Sequence, residues 1–391
     1  MPIINRIAGF HHEMAEWRKD LHAHPELGLQ EFRTSRVVQE KLQSFDVDEI
    51  VTGLARTGVV GVIRGRGNSP RAIGLRADMD ALPIQEETGL SYASKNPGVM
   101  HACGHDGHTA MLLGATKYLA ETRNFDGTVY VIFQPAEENL SGADIMVKDG
   151  LFERCPMEMV FGLHNWPGSP AGEFRWRNGA IMAAVANVEI TITGKGAHGA
   201  LPHQGIDPIV IASQIVSSLQ TIVSRTISAA ESGVITIAHI NAGHTYNVIP
   251  ETVHMKGTAR WFNPRVGDQL EAGVRRLATG IAESFGAKAE VVFRRTPPAT
   301  INDAEATALA VRAAAAVAGE SRVQEMRHPT MGGEDFAYML QAKQGSYMML
   351  GAGRGPEDAM VHHPQYDFND SILPAGASYW ATLAEQVLGR S

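Results

Sequence analysis

Apolar residues recur at helical spacing over 11–22 and 33–44, then give way to two short apolar runs, VVGVIRG (59–65) and AIGLRADMDA (72–81). This pattern predicts two helices followed by two buried strands. TAMLLGATKYLAET (109–122) predicts a strong amphipathic helix, GTVYVIFQPAEE (127–138) a strand ending in carboxylates, and MVFGLHNWP (159–167) a further apolar strand. Strand, helix, strand in this order predicts an α/β fold with a mostly parallel sheet, whose ligands sit beyond the carboxyl ends of its strands.

The pattern changes near residue 184. VANVEITITG (185–194) alternates like a half-solvated strand, PIVIASQIVSSLQTIVSR (208–225) is a long helix, and GVITIAHINAG (233–243) and TVHMKGTARW (252–261) are strands. A helix over 265–286 and a strand over 288–295 complete the order β-α-β-β-α-β of a ferredoxin-like unit. TPPATIND (296–303) reads as the return linker, after which an Ala-rich helix and GSYMMLGAG (345–353) resume the α/β pattern. The expected organisation is a discontinuous catalytic domain, 1–183 and 298–391, interrupted by a ferredoxin-like α+β lid over 184–297.

Composition narrows the classes. With 391 residues, 44% of them hydrophobic and 19% charged, the chain can bury large cores and is not of disordered type. The formal net charge of −8 and the lack of any Lys/Arg-rich run exclude tracking of a phosphate backbone, so no nucleic-acid partner is expected. No apolar run reaches the roughly 18 residues a membrane span needs, and the first 20 residues lack the apolar core of an export signal. Two cysteines, Cys103 and Cys155, are too few for a disulfide framework. These features lead to the expectation of a cytoplasmic protein without membrane contact.

Candidate chemistry begins with the histidines, 16 in all and several crowded into short polar, Gly-containing segments. MHACGHDGHT (100–109) sets His101, Cys103, His105, Asp106 and His108 just before a predicted helix, where Cys and His two residues apart can face one metal from a turn. QPAEEN (134–139) places Glu137 and Glu138 after an apolar strand, a pair suited to one metal ligand and one general base, with the order of the two left open by the residues themselves. His164 ends the apolar run 159–164, and His362 and His363 precede a turn started by Pro364. Cys103, His105, Glu138, His164 and His362 have the softness of a zinc or related transition-metal site. Five side chains exceed the four of a closed structural zinc, and two metals sharing a ligand fit better.

RADMDALP (76–83), MHACGHDGH, QPAEE, GLHNWP, GKGAHGALPH (194–203), NVIP (247–250), GTAR (257–260), GGEDFA (332–337) and HHPQYDFND (362–370) follow one another in an order that resembles the peptidase M20 family, subfamily D. That subfamily contains N-acyl amino acid amidohydrolases, including hippurate hydrolases and auxin-conjugate hydrolases, and the resemblance runs from LHAHPELGLQE (21–31) to beyond residue 370. It implies a metallopeptidase-like catalytic domain and a smaller lid, often used for dimerisation, so a homodimer or homotetramer is expected. It also implies two divalent transition-metal ions per chain, zinc first with manganese, cobalt or nickel as alternatives. Cys103, His105, Glu138, His164 and His362 would bind them and Glu137 would be the base. His198 would stabilise the oxyanion, while Asn247 and Arg260 would hold the carboxylate of a small N-acyl amino acid substrate.

The expected reaction is hydrolysis of the acyl-amino acid amide by metal-activated water, with Glu137 moving the proton to the departing amine. The alternatives are a dipeptidase or N-carbamoyl amino acid hydrolase of the same fold, or a metal-binding homologue without turnover. Cys103, where other M20 enzymes carry a carboxylate, favours subfamily D, and Glu137 argues against a mere binding module. Asp78, Asp80, His101 and His108 are expected to support ligands or pack, and Asp335 to cap backbone amides at the helix entry GGEDFA, with Glu334 and Asp335 near the site as the alternative. NLSGAD (139–144) departs from the Gly-richer family loop, so acyl preference does not carry over.

Overall fold

The computed structural model describes residues 3–138 and 141–389. Asn139 and Leu140, the first residues of the departing loop, lie outside them. The chain divides into two compact units, one comprising residues 1–181, 300–329 and 334–391, the other 182–299 and 330–333.

The first unit is built on an eight-stranded sheet in the spatial order Glu49–Leu54, Gly58–Arg64, Thr128–Gln134, Ala72–Asp78, Met159–Pro170, Gln344–Gly353, Phe174–Trp176, Val323–Glu325. Its four central strands, 128–134, 72–78, 159–170 and 344–353, are mutually parallel, and strands 58–64 and 174–176 pair antiparallel to them on either side. Strand 72–78 is buried along its whole length, as a central parallel strand covered on both faces must be. One core joins these strands to helices His11–Ala23, His105–Thr122, Ala304–Ala318 and Leu373–Val387. Because the central strands run together, Asp78, the 135–138 turn and the later half of 159–170 emerge on one side of the sheet.

Three local readings change. Helix 105–122 starts four residues before the apolar periodicity does, because its first turn is polar yet fully buried: His105, Asp106 and His108 belong to the helix, not to a preceding loop. His164 lies inside a strand that continues to Pro170, since residues 164–166 keep pairing with Met349–Gly351. Asp335 does not cap the short helix Ala337–Ala342. Its carboxylate instead accepts the backbone N–H of Ala143, at 2.8 Å, in the first turn of Gly142–Lys148, a helix remote in sequence.

The second unit has a four-stranded antiparallel sheet in the order Gly233–Ala242, Thr252–Trp261, Ala184–Thr193, Lys288–Arg295, with helices Pro208–Thr221 and Pro264–Ser284. This is the ferredoxin-like order, and the strands and helices enclose their own core. Both helices start as their sequences dictate: Asp207 and Asn263 accept backbone N–H groups two residues on, each with proline next in the chain. Thr330–Gly333 belongs to this unit although the sequence pattern leaves it with the other, because Gly332 accepts from the N–H of Ala183 and Met331 from the guanidinium of Arg260.

Candidate metal centre and active site

The carboxyl ends of the central strands of the first unit gather the sequence-predicted residues. Strand 72–78 ends in Asp78, and Asp80 follows it. After strand 128–134, Ala136 takes a left-handed backbone (φ 56°) with its N–H bonded to the buried carboxylate of Glu31 at 2.8 Å. The N–H of Glu138 donates to Asp80 at 2.9 Å. These two anchors fix a turn in which Glu137 and Glu138 both face the site. Cys103 precedes Gly104, whose φ of 93° turns the chain into helix 105–122, a geometry that suits glycine. His362, also left-handed at φ 69°, is held by its N–H donating to the carbonyl of Ala102 at 2.7 Å.

Potential ligand atoms converge in overlapping groups, each with all atoms within 4.8 Å: Cys103, His105 and His164; Cys103, Glu138 and His362; His105, Glu137 and Glu138. Cys103 Sγ is 3.4 Å from His164 Nε2, and His362 Nε2 is 3.4 Å from Glu138 Oε1. His105 Nε2 lies 3.9 Å from a carboxylate oxygen of each of Glu137 and Glu138. Cys103, His105 and His164 are buried, while His362 is exposed at the rim. All five predicted ligands, with Glu137, therefore share one neighbourhood.

Whether the site suits cations can be tested on its own groups. His105 Nε2 and Glu138 Oε1 are buried without a hydrogen-bond partner, which is costly unless something electrophilic meets them. Asp78, Asp80, Glu137, Glu138, Glu334 and Asp335 form one connected acidic cluster, and among the described residues Arg76 is the one guanidinium ion-paired to it. Burial, then the charges of Glu334 and Glu138, push the Glu137 carboxyl well above the ordinary range. Burial and then Glu138 do the same to the Cys103 thiol. The site thus holds more negative charge than its own side chains balance, and divalent cations would complete it. Overlapping groups that share Cys103 and His105 make a candidate site for two metals.

Supporting residues orient the ligands. His105 Nδ1 lies 3.2 Å from Asp80 Oδ1, which leaves Nε2 toward the cluster. Burial disfavours its cation, but Asp78 and Asp80 outweigh that and raise its pKa to about 10. His108 Nδ1 is 2.5 Å from Asp78, and its Nε2 accepts the backbone N–H of Asn165 at 3.0 Å, so both ring nitrogens are committed. His101 is buried with neither nitrogen bonded, and burial lowers its pKa to about 4. Sequence reasoning missed Arg76, which bonds Gln134, Asp78, Glu334 and Asp335 from inside the sheet. An arginine within an otherwise apolar strand was the available signal.

His198, Asn247 and Arg260 all lie in the second unit. His198 is exposed on the short strand Ala197–His198, paired with Val248–Ile249, and its Nδ1 accepts the N–H of Ala200. Asn247 is next to it, its carbonyl accepting from Gly199 N–H at 2.7 Å. Arg260 is half-buried near the end of strand 252–261, with Nη1 donating to Met331 O.

The family model for "Peptidase family M20/M25/M40" matches residues 74–386. The hippurate hydrolase of Campylobacter jejuni is 40% identical over 388 residues, covering 99% of this chain and all of that protein. An N-acetylcysteine deacetylase of Bacillus subtilis is 40% identical over 380 residues, covering 97% and 98%. Among solved structures, a Bacillus subtilis protein described as a dinuclear metal-binding peptidase of the M20 family superposes with a TM-score of 0.82 at 37% identity, covering 97% of this chain and 99% of its own. The motif order, the α/β sheet and the acidic Cys/His cluster therefore have one common explanation: the chain belongs to the M20 peptidase family.

Proposed function

We propose that this chain hydrolyses the amide bond of N-acyl amino acids, of the hippurate or N-acetyl amino acid type, at a two-metal centre held by Cys103, His105, Glu138, His164 and His362. The observation that carries the reading is the pair of buried atoms without a hydrogen bond, His105 Nε2 and Glu138 Oε1, set among the other three ligands beside Glu137. The names of the relatives, a hippurate hydrolase and an N-acetylcysteine deacetylase, support the substrate class. Zinc is the first choice of metal for a mixed thiolate, imidazole and carboxylate set, ahead of manganese, cobalt or nickel.

When bound, two such ions supply Lewis acidity toward the amide carbonyl and lower the pKa of water. Glu137 Oε accepts the proton of the attacking water and returns it to the departing amine nitrogen. The ionised carboxylate is the form that accepts the first proton, and the carboxylic acid so formed is the one that delivers it to nitrogen. Cys103 acts as a ligand and not as a nucleophile, since a thiolate whose electron pairs are donated to bound metal would not be free to attack the carbonyl. His198 is assigned to the developing oxyanion, and Asn247 and Arg260 to the substrate carboxylate, which a guanidinium can grip with parallel donors. No helix among the described residues is long and apolar enough to cross a membrane. The enzyme is assigned to the cytoplasm, as a homodimer or homotetramer.

A hydrolysis screen over N-acetyl, N-benzoyl and indole-acyl amino acids, with dipeptides as controls and a chelator arm, tests the reading. Turnover of one acyl class, lost with the metals, is expected. Activity on dipeptides alone, or activity unaffected by metal removal, overturns it.

A further inference from the structure

The three chain segments that carry Cys103 and His105, His164, and His362 are far apart in sequence, and one side chain joins them. Asn165 is buried and follows His164 directly. Its Nδ2 donates to the carbonyl of Cys103 at 2.7 Å and lies 3.0 Å from Nε2 of His108, which Asp78 holds from the other side. Its Oδ1 accepts the hydroxyl of Tyr366, also buried, at 2.6 Å. Its own backbone carbonyl faces Nδ1 of His164 at 2.6 Å, which leaves Nε2 of that ring directed at Cys103 Sγ. One amide hydrogen and the amide oxygen are therefore spent on ligand-bearing segments, and the other amide hydrogen shares the His108 acceptor with the backbone N–H of Asn165.

Tyr366 closes the third side. Four residues before it, His362 is tied through its N–H to Ala102, the neighbour of Cys103. The turn between them is stitched by Tyr366 N–H donating to His363 O at 2.9 Å. The fit is tight at Gly104, between Cys103 and His105: a Cβ there would stand 2.6 Å from both Asn165 Nδ2 and Tyr366 Oη.

We propose that Asn165 and Tyr366 are positioning residues that act as a clamp: their amide–hydroxyl pair sets the backbone of Cys103 and the ring of His164 so that Sγ and Nε2 would face a bound metal together. The proposal rests on the ligand set given above. Buried partners of ligands typically change metal affinity 10- to 100-fold, so the clamp should show in binding before it shows in folding.

The test is a cobalt(II) titration of metal-stripped full-length chain, following the thiolate-to-cobalt charge-transfer absorption and the cobalt retained per chain. The wild type is compared with Tyr366→Phe and with Asn165→Asp, and the melting temperatures of the metal-free forms are recorded alongside. In Tyr366→Phe the thiolate band is expected to need roughly tenfold more cobalt and to shift in position, with the metal-free Tm within about 4 °C of wild type. Asn165→Asp, which removes two donors at constant shape, is expected to lose the second cobalt. Should it fail to fold, Tyr366→Phe alone decides. A variant that titrates like wild type, or that loses Tm without any change in the cobalt band, overturns the clamp. A wild type without any thiolate band overturns the ligand set itself, and so separates the two failures.

Discussion

His105 and Asp80 form a hydrogen-bonded pair in which Nδ1 lies 3.2 Å from Oδ1, while the opposite ring nitrogen makes no hydrogen bond and faces the carboxylates of Glu137 and Glu138. The second oxygen of Asp80 accepts the N–H of Glu138 at 2.9 Å, so one carboxylate sets two proposed ligands from two chain segments. Asp80→Ala is therefore expected to lower metal affinity 10- to 100-fold and activity with it, with partial recovery at excess metal. Metal content after dialysis against a graded chelator series measures this. Retention equal to wild type would show that the ligands hold their geometry unaided.

Glu137→Gln should separate chemistry from metal binding. The amide keeps the shape and removes the proton acceptor, so kcat is expected to fall at least 100-fold with both metals retained. Elemental analysis beside steady-state kinetics distinguishes this from ligand loss. A near-normal rate places the base elsewhere.

Converting the substrate carboxylate to a methyl ester tests Arg260. A charge-assisted hydrogen bond contributes about 1.5–3 kcal/mol, so kcat/KM should fall roughly 10- to 100-fold for the ester. Arg260→Met should cut activity on the free acid and leave the ester rate almost unchanged. Equal losses on both substrates would remove the carboxylate-binding role.

Stability should respond to pH through His22. Burial opposes its charge, but the hydrogen bonds it donates to Asp106 and Glu86, at 2.8 and 3.3 Å, outweigh burial and raise its pKa from 6.5 to about 9. A raised histidine pKa means stabilisation that is complete below about pH 6.5 and lost as pH rises through 9. The loss is expected to be of order 3 kcal/mol, read from denaturant unfolding at pH 6 and pH 9.5. His22→Gln should flatten that dependence. An unchanged slope would assign it to other groups.

Much of this was legible in the chain. The helix caps at Asp207 and Asn263 are local hydrogen bonds, and local rules predict them. The two units follow from the period of apolar positions. The proposed ligands were readable because chemistry confines them to a few residue types placed near the ends of apolar runs. Periodicity predicts too short a helix at 105–122 because the buried first turn is polar, and periodicity registers burial only through apolar residues. Asp335 was assigned to its own helix because sequence shows neighbours, whereas its carboxylate found the N–H of Ala143, 192 positions away in the chain.

The sequence by itself determined the α/β class, the ferredoxin-like insert and the identity of the metal-competent side chains, since each depends on residue type and spacing. Only the tertiary structure decided which partner each buried polar group meets: Arg76 within its acidic cluster, Asp80, a supporting residue already legible in the sequence, behind His105 in particular, and Asn165 with Tyr366 across three segments. A buried donor or acceptor must be satisfied by whatever the fold brings within about 3 Å, and that partner is set by packing and not by distance along the chain.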